Sequence, residues 1–275
     1  MEIFIRHKID NTSDVLQQLW EQNFIALHYE DILSTDPDAY QEKSAKDSMK
    51  RMKRFCEAGA YVGAVYGGKQ LQGKILIGEL PAKSRFFGKT FTDRSDPAKG
   101  FSYKVAQLVR TRTLSLIDFP VLASIQPRQG ALSEWHSANG IIKALVTKTP
   151  MPFSVNSIHT GQLEVLCYEY LRHKGLLSNL LAPIGRTMID LDILALDERG
   201  GRVIGQVTFS DDQEKLERLQ TYSGCASVYF FSKRKSGNHG RITCIAIDDV
   251  FEEMRNSPAH KRMLEIMCGR GGSTN

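Results

Sequence analysis

The chain has 275 residues, of which 41% are hydrophobic and 24% charged, the balance of an ordinary globular protein. This length accommodates one large domain or two small ones. No apolar run approaches the length of a membrane span, so we expect no contact with a membrane. The first eight residues carry charges and lack a small-residue cleavage site, so we expect no signal peptide.

Cysteine usage indicates a reducing environment. The five cysteines are an odd number, and none belongs to a C-x-x-C pair, so the sequence shows neither a zinc knuckle nor a redox motif. Free cysteines of this kind behave as small hydrophobic residues. We therefore expect a cytoplasmic protein.

Charge is distributed unevenly around the net value of +5. Residues 1–50 hold 5 basic and 10 acidic side chains, residues 51–150 hold 16 basic and 6 acidic, and residues 151–275 hold 15 of each. A basic centre of +10 is what a phosphate-binding surface needs, because neutralised phosphates release counterions. The alternative is a solvated face without a partner.

The N-terminal half alternates helices with many short strands. Apolar spacing predicts a helix and then a strand within residues 13–29, and composition predicts a surface helix over 39–57. Residues 81–101 read as a loop. Further strands are predicted at 61–66, 74–79, near 103–113 and at 121–125. Short strands with Gly turns favour a small β-barrel with flanking helices.

A linker separates the two halves. Residues 149–154 contain two prolines and little periodicity, which is typical of a connection between domains. We place the boundary so that one domain covers 1–152 and the other 153–268. Residues 269–275 are expected to be a disordered tail.

The C-terminal half predicts a mixed sheet covered by helices. An amphipathic helix over 160–173 precedes a hairpin whose strands are 190–196 and 203–209. A helix over 212–223, strands at 228–231 and 242–247, and a helix over 251–267 follow. The predicted fold class is therefore α/β throughout.

The hairpin offers a pattern suited to phosphodiester hydrolysis with Mg²⁺, which needs oxygen ligands on a rigid edge and a group that positions water. Asp192 interrupts an apolar strand, where a carboxylate is costly unless it serves a purpose. Gln206 lies 14 residues later on the second strand. Thr208 shares the face of Gln206, because strand side chains alternate.

These residues resemble the motif of the PD-(D/E)xK nuclease superfamily, in particular its Mrr-type restriction endonucleases. The motif places a glutamate on a helix, an aspartate at the start of a hairpin, and Gln-x-Lys on the second strand. Glu164, Asp192 and Gln206 match these positions over roughly residues 155–255. The resemblance implies a restriction-endonuclease-like fold and a DNA endonuclease of a restriction or anti-phage defence system, dependent on Mg²⁺ or Mn²⁺. It also implies that Asp192, Gln206 and Glu164 are metal ligands.

One position departs from the motif. Thr208 stands where the family has lysine, and Lys215 on the next helix could supply an ammonium group from another backbone position. The alternative is a catalytically inactive nuclease fold that binds nucleic acid or assembles with a defence-system partner. Ordinary structural roles also remain open, since Glu164 suits the first turn of a helix and Lys215 a solvated helix face.

The N-terminal half resembles PUA-like and EVE-like modules, over stretches that include residues 24–29, 63–66, 75–79 and 125–136. Such modules hold an extruded, modified base between aromatic side chains, and they also bind RNA. The candidates for base contact are His28, Tyr29, Trp135 and His136. Those for phosphate contact include Arg110, Arg112 and Arg128. This half should supply affinity and the other half the metal site. A homodimer is expected, because cutting both strands of a duplex usually requires two active sites.

Overall fold

A computed structural model of the chain describes residues 1–7, 13–127, 130–185, 188, 190–222 and 224–270. The chain divides into two compact units, Met1–Met151 and Pro152–Asn275, and the predicted boundary was residue 152. Of the predicted tail, residues 271–275 lie outside the described part. No described helix is long and apolar enough to cross a membrane.

The N-terminal unit combines helices with strands of both orientations. Its elements are β1 (Glu2–His7), α1 (Ser13–Glu21), β2 (Phe24–Leu27), α2 (Lys43–Ala58), β3 (Ala60–Tyr66), β4 (Lys74–Leu80), β5 (Phe87–Asp93), β6 (Asp96–Gln107), β7 (Val109–Ser115), α3 (Pro120–Ser124), β8 (Leu132–Glu134) and α4 (Ile141–Thr147).

Two sheets are formed from these strands. The first is a mixed sheet with the order β7-β4-β3-β1-β8, in which β1 runs parallel to β3, and the second is an antiparallel sheet with the order β2-β6-β5. Ile3 and Ile5 of β1 face a core shared with α1 and α2, whereas Phe4 faces a second core shared with α4. The first sheet is therefore covered on both faces.

Three predictions for this unit are corrected. The described strands do not close into a barrel, because the β1–β3 pairing is parallel and the intervening chain crosses over to build a separate sheet. Residues 121–124 lie in α3 and Ile125 is its C-cap, since Pro120 occupies the first position of the helix, where proline is favoured. Residues 81–101 contain β5 and the start of β6. A charged residue within β5 obscured its apolar pattern: the ammonium of Lys89 lies over the rings of Phe24 and Phe91.

The C-terminal unit is built around one mixed sheet. Its elements are α5 (Thr160–His173), β9 (Asn179–Leu180), β10 (Ile193–Leu196), β11 (Arg202–Val207), α6 (Gln213–Leu219), β12 (Ser227–Ser232), β13 (Gly237–His239), β14 (Ile242–Ala246), α7 (Ile247–Asn256) and α8 (Pro258–Met267).

The strand order of this sheet is β13-β14-β12-β11-β10-β9. Strands β9, β10 and β11 form an antiparallel meander, and β12 runs parallel to β11. Helices α5, α7 and α8 share one core with the sheet, and α6 covers the other face. The helix predicted over 251–267 is two helices, because Pro258 begins α8 and proline cannot continue a preceding helix.

Candidate active site

The β10–β11 hairpin brings Asp192 and Gln206 together. Asp192 lies directly before β10, and its backbone N–H donates to the carbonyl of Gly205 at 3.0 Å, which extends the ladder by one residue. Asp192 Oδ2 accepts hydrogen bonds from Gln206 Nε2 at 2.5 Å and from the backbone N–H of Val207 at 2.8 Å. Two donors from β11 therefore fix the position of the Asp192 carboxylate.

Helix α5 places a second carboxylate beside the first. Leu163, Leu166 and Cys167 anchor the helix in the core, and Glu164 lies close to Asp192. Burial, with a smaller contribution from the charge of Asp192, raises the pKa of Glu164 from 4.5 to about 7. Two half-buried acids thus lie within mutual electrostatic reach, which makes it unfavourable for both to be charged.

The pKa of Asp192 is also raised by burial, and three groups oppose this shift. They are the N–H of Val207, the ammonium of Lys215 and the amide of Gln206. Lys215 lies in the first turn of α6, where its N–H donates to the capping carboxylate of Asp212 at 3.1 Å. Helix α6 therefore brings a cation towards the Asp192 carboxylate, as the sequence suggested it could.

Thr208 is engaged elsewhere. It is buried, and its hydroxyl lies 3.0 Å from Ser210 Oγ and also accepts a hydrogen bond from the N–H of Ser210. Of the two residues considered as replacements for the family lysine, Lys215 is thus the one whose charge acts on Asp192.

Gly185 lies in close contact with the side chain of Glu164. Its φ is +59°, and a Cβ atom built there would lie 1.7 Å from Glu164 Oε2. Its N–H donates to the backbone carbonyl of Asp192 at 2.9 Å. The loop before β10 therefore approaches both acidic residues, and only glycine combines this backbone conformation with such close contact.

The donor set fits a hard divalent cation. Glu164 and Asp192 supply carboxylate oxygens, and the orientation of Gln206 leaves its amide oxygen as the atom available for ligation. Among the described residues, no group of three or more His, Cys, Asp or Glu side chains could hold a metal ion. Two carboxylates suffice for Mg²⁺, which commonly uses one or two together with water and substrate phosphate. A cation would also relieve the repulsion between the two acids.

The raised pKa of Glu164 predicts a pH-dependent stability. Between pH 4.5 and 7 the folded protein binds more protons at this site than the unfolded chain, so stability falls as pH rises through that window. Glu164→Gln should therefore raise the free energy of unfolding at pH 8 by about 1–2 kcal/mol, a value reduced for the partial exposure of the group. The gain should vanish at pH 4.

Calorimetric unfolding at both pH values, without divalent metal, measures this difference. Glu169→Gln is the control, because Glu169 lies on the same helix and pairs with Arg172 at the surface. An equal gain for both variants, or a gain at pH 4, would contradict the electrostatic explanation.

The aromatic pocket predicted in the N-terminal unit is not formed by the residues proposed for it. Trp135 is only 1% exposed, packs edge-on against Phe4 at 5.0 Å, and donates from Nε1 to the carbonyl of Ile125 at 2.7 Å. Tyr29 packs on the opposite core, and exposed His28 contacts Tyr103 of that core. Trp135 therefore offers no face to an extruded base, and His28 lies on the other side of the sheet.

The remaining predicted contacts of this unit are at the surface. His136 is exposed beside Glu134. Arg110 pairs with Glu79, and Arg112 donates to the carbonyl of Leu145 at 2.7 Å, although both are exposed. Arg128 lies outside the described residues. The roles of His136, Arg110 and Arg112 in binding nucleic acid stay predictions.

Sequence reasoning missed two contributors to the candidate site. Gly185 follows a proline-containing loop without a recognisable motif, and the N–H of Val207 is a backbone group that any residue would provide. No signal in the sequence would have identified either, because their roles depend on where the loop and the hairpin meet α5.

Comparison with family models, with curated proteins and with solved structures gives no match for this chain.

Proposed function

We propose that the C-terminal unit is a divalent-metal-dependent nuclease domain and that the protein is a DNA endonuclease of a restriction or anti-phage defence system. The observation that carries the proposal is that Gly185 contacts both the Glu164 carboxylate and the backbone of Asp192, with the charge of Asp192 acting on Glu164. Acids with raised pKa values that share a site are frequent in active centres. Lys215 adds a positive charge beside them.

The order of the elements supports the same proposal. A helix with Glu164, an aspartate before a hairpin and Gln206 on the second strand reproduce the motif of the Mrr-type nucleases, with α6 and Lys215 following. We therefore propose a restriction-endonuclease-like architecture for this unit. For the N-terminal unit, the basic charge supports contact with DNA, and a PUA-like architecture rests on the resemblance alone.

Each residue has a distinct part in the proposed reaction. Mg²⁺ or Mn²⁺ would polarise the phosphodiester and lower the pKa of water. Glu164 and Asp192 bind the cation, and Gln206 holds the Asp192 carboxylate in place. Lys215 stabilises the negative charge that develops on the phosphate. Because Glu164 must lose its proton to bind a cation, metal affinity should rise as the pH passes through about 7.

A cleavage assay tests the proposal. The full chain is incubated with supercoiled plasmid carrying modified or unmodified bases, in Mg²⁺, in Mn²⁺ and in EDTA. We expect nicked or linear product with metal only. Absence of product on every substrate with both metals would contradict a nuclease function.

The second candidate is an inactive nuclease fold that binds nucleic acid. The observation favouring it is that Thr208, at the position of the family lysine, is buried and bonded to Ser210. Under this alternative the chain binds DNA without cutting it, and a partner subunit performs the reaction.

Substitution tests the proposed role of Lys215 in an active nuclease. If the nuclease is active, Lys215→Gln should reduce cleavage by about 100-fold, the loss typical when one transition-state donor is removed. Lys215→Arg should recover part of the activity, because it restores the charge. Lys235→Gln is the control, since the ammonium of Lys235 donates at 3.0 Å to Gln213, which lies on α6 as Lys215 does. Unchanged cleavage in Lys215→Gln would remove Lys215 from the reaction.

A further inference from the structure

The exposed face of α2 carries a row of lysines without partners. Lys43, Lys46, Lys50 and Lys53 follow one another at spacings of three and four residues, which places them along one side of a helix. Among the described residues, none of their ammonium groups has an ion pair or hydrogen-bond partner. We refer to these four residues as the α2 lysine row.

Several other cations of the N-terminal unit have internal partners. Lys104 is fully buried and donates to the carbonyls of Tyr29 and Ile32. Lys89 donates to Gln22, and Arg94 pairs with Glu21 at 2.7 Å. Lys69, Lys143 and Lys148 also have no ion pair among the described residues, but they do not follow one another along one face of a helix as the α2 lysine row does.

The row extends past the end of the helix. The backbone N–H groups of Lys83 and Ser84 donate to the carbonyls of Glu57 and Cys56 in the last turn of α2. The backbone of Lys83, an exposed residue, therefore lies beside that turn. Two acids lie one turn from lysines of the row, half-buried Asp47 after Lys43 and exposed Glu57 after Lys53, and in the described structure neither pairs with a lysine of the row.

We propose that the α2 lysine row binds the phosphate backbone of duplex DNA, and this choice of ligand rests on the proposed nuclease function. From Lys43 to Lys53 the helix rises about 15 Å, which corresponds to about four phosphates along one strand. Lysine suits this task because it binds phosphate as a mobile point charge and needs no fixed geometry. The contact would supply affinity without sequence preference.

A membrane surface fits this helix less well. The opposite face of α2, with Ala45, Met49, Met52 and Phe55, is buried in the core. An amphipathic helix that binds lipid must insert its apolar face into the bilayer. Since that face is already used for folding, only the charged side is available to a partner.

The test compares two triple variants that remove the same charge. Lys46→Gln, Lys50→Gln and Lys53→Gln are combined in one protein, and Lys69→Gln, Lys143→Gln and Lys148→Gln in the other, whose lysines are exposed on other parts of the unit. Binding of a labelled 25-base-pair duplex to the full chain is measured by fluorescence anisotropy in EDTA at several salt concentrations.

The row variant should lose about tenfold in affinity at low salt, and its plot of log K against log salt should become shallower by about two to three units. The control should stay within twofold of wild type with an unchanged slope. Equal weakening in both variants would overturn the proposal. So would binding of duplex RNA, or of phosphatidylserine vesicles, that depends on the row while DNA binding does not.

The outcome is independent of catalysis. If wild type binds DNA through the row but never cleaves it, the proposed binding surface is supported and the proposed nuclease function is contradicted. If the row variant binds DNA as tightly as the control and cleaves it at saturating protein, the proposed binding surface is contradicted and the proposed nuclease function is not.

Discussion

Asp192→Asn should abolish metal-dependent DNA cleavage by the full chain, with a loss of at least about 100-fold. Replacing residues that merely orient metal ligands already costs about 10- to 100-fold, and Asp192 is proposed to bind the cation itself. The substitution keeps the side-chain shape and an oxygen that can accept from Val207. Because it also removes a half-buried charge, the folded state should persist.

The matched control is Asp190→Asn. Asp190 lies two residues earlier and pairs with Arg218 at 3.2 Å, so its loss removes only a partly exposed ion pair. Initial rates of plasmid nicking in Mg²⁺ and Mn²⁺ compare both variants with wild type. Equal rates for Asp192→Asn and wild type would remove Asp192 from the mechanism, and loss in both variants would indicate general damage to the hairpin.

Trp135→Ala should destabilise the N-terminal unit by about 3–5 kcal/mol, the usual cost of removing a large buried aromatic side chain. The Trp135 ring packs against Phe4 and fills the space above Gly63, where a Cβ atom would lie 2.3 Å from the ring. The hydrogen bond to Ile125 contributes less, because Ser137 Oγ also donates to that carbonyl, at 2.9 Å.

Urea denaturation measures this effect, with the fluorescence of the remaining Trp20 as the probe. Trp135→Phe is the comparison and should lose markedly less, since it keeps most of the packing. An Ala variant as stable as wild type that discriminates poorly between modified and plain DNA would show that Trp135 reads a base.

Much of the C-terminal fold could be predicted because its signals are local. The alternation around Asp192 and Gln206 and the turn between their strands determine which residues face each other in the hairpin. The electrostatic coupling between Glu164 and Asp192 depends on long-range packing of α5 against the hairpin, so each residue could be proposed singly from the sequence but their coupling could not. The same limit applies to Gly185.

The N-terminal unit was harder to predict because neighbouring residues mislead. Trp135 lies between Glu134 and His136, a polar setting typical of a surface loop, yet remote contacts with Phe4 and Gly63 bury it. Strand β1 is short and flanked by charges, although it lies inside a sheet, between β3 and β8. The lysines of α2 were visible as composition, but only the structure shows that they stand along one face of the helix without ion-pair partners among the described residues.

Binding of Mn²⁺ in the absence of nucleic acid tests the metal site most directly. Free Mn²⁺ is followed by electron paramagnetic resonance during titration of wild type, Asp192→Asn, Glu164→Gln and the Glu169→Gln control at pH 7.5. We predict that wild type and Glu169→Gln bind about one ion per chain, as a single two-carboxylate site allows, and that the other two variants lose this binding. Equal binding by all four proteins, or none by wild type, would contradict a metal site formed by Glu164 and Asp192.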